Sequence, residues 1–424
     1  MARSIPEKPA DAPDLVGATS RGFMAAFDSL HIHDFRFMWF GQVSSATAMH
    51  ADLLARSWLT WQLTGSTVAV VLVNLMRTIP MLTLGIFAGV IADRFDKKKI
   101  LFIIQAWTIG VYIAIATVVL LDLVQLWHVY AYSLLIGFGF AMNQPVRMSF
   151  IPRLVGKENL LNALSLSSIA INSTRLVGPA IIGFLIAFTG MGSVFVISAV
   201  MYAIALWTTT RIKTSGAPSS DRTEGSSVFA DLLEGFRFLG ENRLVLVLVL
   251  LALGPLSFGH SWTMLLPQFV DEVLDADAGL LGIITSVGAV GGLTGGLFIA
   301  SRGNIPHKGT VMIGAGLLYG AALMLFGLVT WLIAVIPLVI MIGVSQTVFR
   351  AANTSTLLEN APDHLRGRII SVTLLDSAMG PLAALLAGFI SDRAGVSAGL
   401  FTIGVICFGI VALVAVTYPK IRRI

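Results

Sequence analysis

The chain has 424 residues, 56% of them hydrophobic and 12% charged, with a formal net charge of +5 and a mean hydropathy of +0.85. A soluble globular chain carries about 25% charged residues, so there is too little polar surface here for a water-soluble enzyme, a nucleic-acid binder or a secreted scaffold. The one cysteine, Cys407, lies in an apolar run and excludes an intrachain disulfide, leaving a polytopic membrane protein as the class.

Residues 1–35 read as an N-terminal tail; three prolines and no apolar run in the first 20 residues predict disorder there. Crossing the hydrocarbon core takes about 20 mostly apolar residues. Polar, Gly and Pro punctuation predicts twelve such spans, at 37–62, 66–91, 99–121, 125–146, 162–188, 191–210, 244–269, 278–300, 309–329, 331–352, 369–391 and 397–418. Continuous apolar runs make them helices rather than barrel strands.

In span 1, His50 is followed by Asp52 and Arg56, four residues apart and able to pair on one helical face. The other reading of Asp52 is a proton or substrate site near mid-depth. Each buried charge needs a reason, because insertion of one costs roughly 2.5–3.5 kcal/mol. Span 2 holds Arg77, Gly85 and Gly89, and Arg147 closes span 4. Span 5 carries Arg175 near mid-depth, then Gly178-Pro179 and Gly183. Arginine stays charged, so Arg175 can neutralise an anionic substrate or an aspartate but cannot carry the proton; a structural anchor is the alternative.

Residues 211–243 form the longest polar interruption. They read as a linker followed by an amphipathic helix with Phe229, Leu232, Leu233, Phe236 and Leu239 on one face. This segment divides a first bundle, 36–210, from a second, 244–418. In the second, His260 lies in span 7, while Gly288, Gly292 and Gly296 stripe span 8 at a spacing of four. Arg350 closes span 10, and span 11 carries Asp376, Gly380, Pro381, Ala384 and Gly388. Smooth stripes of this kind let helix backbones approach closely, and the span 8 stripe is expected to face span 5 around Gly178 and Gly183. Residues 419–424 are a short tail. Trp58, Trp61, Trp127 and Trp331 fall near span ends, as an interfacial belt would.

Basic residues concentrate on one set of loops, from Arg94 and Lys97–Lys99 to Arg366 and Arg368, while the opposite loops hold Arg393 and the acidic run Asp271, Glu272, Asp275 and Asp277. The Lys/Arg bias predicts both termini in the cytoplasm. Gly178-Pro179 recurs as Gly380-Pro381 at an offset of 202, and Arg147 as Arg350 at 203. With six spans per half this predicts a parallel repeat about an axis along the membrane normal.

The loop after span 2, Gly89-Val-Ile-Ala-Asp93-Arg94-Phe-Asp96-Lys97-Lys98-Lys99, resembles the Gly-x-x-x-Asp-Arg-x-Gly-Arg-Arg signature of the major facilitator superfamily, with Asp96 at the glycine position. Trp58-Leu-Thr-Trp-Gln-Leu-Thr-Gly65-Ser66, Asn143-Gln-Pro-Val-Arg147 and Asn172-Ser-Thr-Arg175-Leu-Val-Gly178-Pro179 resemble its drug- and siderophore-exporting, enterobactin-exporter-like branch. Three departures stand out: Ser133 where proton-coupled exporters carry an arginine, Thr174 and Ile182 at glycine positions of the span 5 motif, and Ala300 where the second-half copy of Asp93 would map. The resemblance implies an all-α polytopic membrane protein, with 12 transmembrane helices in two six-helix bundles and spans 2, 5, 8 and 11 sliding at their interface. It also implies a cytoplasmic gate motif of Gly89, Asp93 and Arg94, with Asp93 latching the start of span 11.

The expected function is secondary active transport in the bacterial inner membrane, with proton-antiport efflux of small amphipathic compounds by rocking of the two halves. An importer of a defined metabolite is the alternative. A non-transporting sensor would need an appended signalling domain. Asp52, Arg56, Arg77, Arg175 and Asp376 are the expected transport and coupling residues. No phosphate-binding loop, nucleophile–base constellation or metal-ligand cluster occurs in the sequence. The reading is therefore a non-enzyme with no cofactor or metal, driven by an ion gradient, expected to be of protons. Its expected partners are a small-molecule substrate and membrane lipid, with no nucleic acid, and its expected state is a monomer.

Overall fold

The structure is a computed structural model that describes residues 27–217, 242–302, 307–360 and 366–423, without the side chains of 86–90, 92–93, 366–378 and 423. The expected tail at 1–20 and the amphipathic face from Phe229 to Leu239 lie outside the described residues. Described residues form helices and no strand: α1 (His33–Thr64), α2 (Thr67–Arg94), α3 (Lys97–Leu120), α4 (Leu126–Val155), α5 (Leu160–Thr189) and α6 (Met191–Arg211), then α7 (Arg243–Val273), α8 (Ala278–Arg302), α9 (Lys308–Leu328), α10 (Leu332–Glu359), α11 (Arg366–Ala394) and α12 (Val396–Thr417). Nine of these are long and apolar enough to cross a membrane among the described residues; α1, α4 and the described part of α11 are not. The first two turn polar side chains inward, including Gln42, Asp52 and Arg56 on α1 and Ser133 and Arg147 on α4.

Local chemistry sets the helix ends. Gly65, left-handed at φ 58°, closes α1, and the Ser66 hydroxyl then caps α2 by accepting from the Ala69 N–H. Asp96, the departure from the signature loop, caps α3: its carboxylate accepts from the N–H groups of Lys98 at 2.9 Å and Lys99 at 3.1 Å. Two helices run furthest past their predicted ends, α4 to Val155 and α10 to Glu359. Arg147 and Arg350 therefore lie within helices instead of closing them, because a change of polarity marks the edge of an apolar run and does not itself stop a helix. α7 is broken by a π-helical stretch, Leu253–Phe258, and a 3-10 turn, Gly259–Ser261. Pro255, which lacks an N–H, accounts for the irregularity.

Packing repeats from one half to the other. In the first, α1 packs on α6, α2 on α4, and α3 on both α4 and α6; in the second, α8 packs on α10 and α9 on both α10 and α12. The halves meet through α5 with α8 and α2 with α11. Trp58 and Trp61 correct the expected aromatic belt. They are 4% and 5% exposed and belong to the core, whereas Trp127 and Trp331 are exposed.

The chain that leaves α6 is tied back to α1. Asp34 accepts from the N–H of Lys213 at 3.1 Å and from the N–H and hydroxyl of Thr214 at 2.6 and 2.5 Å. Burial pushes this carboxyl up, but the bonds from Thr214, His33 and Lys213 together outweigh it and hold it down at about 2. The sign follows from linkage: a depressed carboxylate stabilises the fold above its unfolded value, and that contribution disappears as pH falls from about 4 toward 2. Asp34→Asn should therefore lower the amide protection factors of 212–217 at neutral pH to those of wild type at pH 2, and equal protection of the two proteins at pH 7 would refute this.

Candidate functional site

Two ends of the bundle differ. The basic end carries Arg94, Lys97–Lys99 and Arg153; the opposite end carries Asp271, Glu272 and Asp392. Among the described residues, the hydrogen bonds joining the halves all lie toward the opposite end. Trp61 donates to Asp271 at 2.9 Å, Thr67 to Gln268 at 2.5 Å, and the Ala180 N–H to Ser286 Oγ at 3.0 Å. Asp392, near the end of α11, accepts from Ser66 Oγ at 2.6 Å and from the N–H groups of Thr67 at 2.7 Å and Val68 at 3.3 Å. A carboxylate there meets free N–H groups and the positive end of the α2 dipole. Asp392→Ala should shift the protein toward the state open at this end by about tenfold, as loss of charged hydrogen bonds implies. The check is labelling of a cysteine introduced at Val68, which joins the contact only through its backbone N–H; Cys407 is buried and contributes little background. Unchanged labelling would mean that the contact does not hold the end closed.

Glycines make the closest crossing. A Cβ on Gly282 would stand 2.2 Å from the Pro179 carbonyl oxygen, and one on Gly183 would stand 2.5 Å from that of Ala278. Pro179 and Gly183 thus sit on the side of α5 that meets α8, whereas Gly178, expected there too, turns to His50 of α1 within its own half. Gly288, Gly292 and Gly296 do not meet α5 as expected. They lie toward α10, nearest Val339 for Gly288 and Thr347 for the other two. At 100° per residue, position 282 is about 120° around α8 from 288; the spacing revealed a stripe but not its neighbour. Gly380 packs toward α7, where its carbonyl accepts from Ser261 Oγ at 3.1 Å, while Gly388 lies against Thr67 and Val68 of α2. Pro381 is buried within α11.

Behind these contacts the first half buries a charge cluster. Asp52, 1% exposed, lies 3.5 Å from a guanidinium nitrogen of Arg56 and 3.7 Å from one of Arg77, and accepts a hydrogen bond from the Tyr132 hydroxyl. Arg56 is fully buried and donates to Asn74 Oδ1 at 3.0 Å. Arg77 is 14% exposed, with its guanidinium 4.4 Å from the centre of the Phe140 ring. The expected Asp52–Arg56 pair is present, and Arg77 makes it a triad with one negative and two positive charges. The residues that complete it, Tyr132 and Asn74, are uncharged and stood out by no signal in the sequence.

Arg175 is not in this cluster. It is exposed on α5, within electrostatic reach of His50 on α1 and of Arg350 and His260 in the second half. Arg350 too is exposed, and one turn before it Gln346 Nε2 lies 3.1 Å from His260 Nδ1 and donates to the Tyr319 hydroxyl at 3.2 Å. The break in α7 places His260 here. Arg350 was singled out in the sequence only as the repeat partner of Arg147, which is buried instead and donates to the Met38 carbonyl at 3.1 Å. Arg94 is exposed at the end of α2. Gly89, Asp93 and Asp376 lie in helices, but their side chains are outside the described residues.

Described residues that are all helical, in two sets that meet at glycine crossings with ionisable groups buried inside the first, have the fold of a membrane transporter. Two solved structures share it: a nucleoside transporter, NupG (TM-score 0.68, 15% identity, covering 91% of this chain and 98% of that one), and a bacterial homologue of the human lysosomal transporter Spinster (TM-score 0.71, 14% identity, 91% and 98%). The chain belongs to the transmembrane secretion effector family of the major facilitator superfamily, whose model matches residues 24–423; it is a transporter and not an enzyme. Similar sequences include a staphyloferrin A transporter of Staphylococcus aureus (28% identical, covering 77% of this chain and 81% of that protein). Also similar are the multidrug efflux pump Tap of Mycolicibacterium fortuitum (24%, 91% and 95%) and the enterobactin exporter EntS of Shigella boydii (28%, 75% and 77%).

Proposed function

We propose that the protein exports small amphipathic compounds across the bacterial inner membrane by proton antiport, with twelve spans and both termini in the cytoplasm. The observation that carries this reading is the closure of the halves at one end through backbone crossings and a few hydrogen bonds, above an ionisable triad in the first half. Placing the basic end in the cytoplasm makes the closed end the periplasmic one. The crossings at Gly183–Gly282 and at Gly388 interlock no large side chains, so the halves can part there and close at the other end, exposing the site alternately. Substrate specificity for drugs or siderophore-like metabolites is supported by the relatives' own activities.

Asp52 is the proposed proton-exchanging group, being the one carboxylate buried at mid-helix among the described residues. Arg77 is its movable partner: it alone of the two arginines reaches toward open space. When Arg77 withdraws, the carboxylate meets cavity water, the step at which the proton is exchanged. No cofactor, metal or nucleic acid has a part in this cycle, and one chain suffices for it.

Transport assayed in inverted and right-side-out vesicles under an imposed pH gradient tests direction and coupling together. Accumulation in inverted vesicles with an acidic interior supports proton-coupled export, whereas uptake into right-side-out vesicles would establish the importer instead. Asp52→Asn should abolish gradient-driven accumulation and retain counterflow exchange; normal uphill transport by this variant would move the coupling role elsewhere.

A further inference from the structure

We infer that Arg175 and Arg350, one from each half, form a binding site for the anionic group of an amphipathic substrate. This rests on the transporter reading and specifies the chemistry of its cargo. Both guanidiniums are exposed side chains on helices of opposite halves, and each lies within electrostatic reach of the other. Neither forms an ion pair or hydrogen bond with another described residue, unlike Arg56, Arg77 and Arg147, whose charges are met by Asp52, Phe140 or the Met38 carbonyl. Two like charges within electrostatic reach of each other repel, the more so the less water lies between them. An anion between them removes that repulsion and supplies the acceptors that guanidinium forks pair with most strongly.

The surroundings fit such a ligand. His260 and Gln346 stand beside Arg350, and His50, with a buried Nε2 lacking a partner, stands beside Arg175. These groups can donate to or orient polar atoms next to the charged group. Ile171, one turn before Arg175 on the same face of α5, offers contact for an uncharged body. Because the two arginines come from different halves, an anion bound to both is held by two bodies that move relative to each other, so its occupancy is coupled to their rocking.

The test uses the full chain purified in neutral detergent, with 1-naphthoate as probe and 1-naphthylmethylammonium as its cationic counterpart. Calorimetric titration should show naphthoate binding that weakens with salt, with the cation binding at least about tenfold more weakly. Arg175→Gln and Arg350→Gln should each weaken naphthoate binding by about tenfold or more, and the Lys variants should recover part of the loss. Equal binding of the two probes, or wild-type affinity in both Gln variants, would overturn the assignment. Displacement of naphthoate by phosphatidylglycerol, with no movement of naphthoate in vesicles, would assign the pair to a lipid headgroup and sink the substrate reading. Binding needs no gradient, so failure of antiport in vesicles and failure of this site are read separately.

Discussion

Gly282→Leu is expected to insert and fold yet lose transport almost completely. Its Cβ alone would stand 2.2 Å from the Pro179 carbonyl oxygen and 3.1 Å from the Gly183 Cα, and a backbone carbonyl cannot turn away as a side chain can. The arrangement closed at this end is therefore penalised by about 1–3 kcal/mol or more, as overpacking generally is, while an arrangement parted here is not. The population should shift by about 10- to 100-fold toward the state open at the acidic end, visible as increased labelling of a cysteine placed near Gly183. Gly292→Leu is the control: its Cβ would meet the Thr347 hydroxyl at 3.1 Å and the Gly343 carbonyl oxygen at 3.9 Å, both on α10, so its effect falls on packing within the second half. Full activity of Gly282→Leu would mean that the α5–α8 crossing is not part of the working cycle.

Arg56→Met should destabilise the protein by about 3–5 kcal/mol, the effect of leaving one member of a buried ion pair without its partner. Arg56 is 0% exposed and Asp52 1%, so water cannot replace what is lost, and Arg77 at 3.7 Å is too loosely held to compensate fully. Adding Asp52→Asn should recover much of the stability, since the uncompensated charge is gone, but not gradient-driven transport. Thermal unfolding in detergent and vesicle transport, measured on both variants, separate the structural from the coupling role. Recovery of both properties in the double variant would show that the pair is an anchor alone.

What the sequence determined by itself follows from the solvent. A lipid interior obliges the backbone to bond within each segment, so continuous apolar runs fixed helices at Thr67, Lys97 and Val396 without reference to any partner. Gly65 and Ser66 marked the turn from α1 to α2, because a left-handed residue and a capping hydroxyl act within a few residues of chain. The Asp52–Arg56 pair was legible for the same reason, being one helical turn. The signature loop and the stretches around Asn143 and Asn172 pointed to the superfamily.

Tertiary structure alone decided which helix faces meet. Gly282 carried no sign of its contact with Pro179, while the conspicuous stripe at Gly288, Gly292 and Gly296 turned to α10, since a small residue permits close approach without naming the helix that approaches. Arg77 joined Asp52 from another helix, Arg350 came within electrostatic reach of Arg175 from the other half, and Asp392 reached α2 across more than 300 positions of sequence. Charges and glycines act through space, over a few ångströms, and only the packing of the two halves sets which of them come within that range.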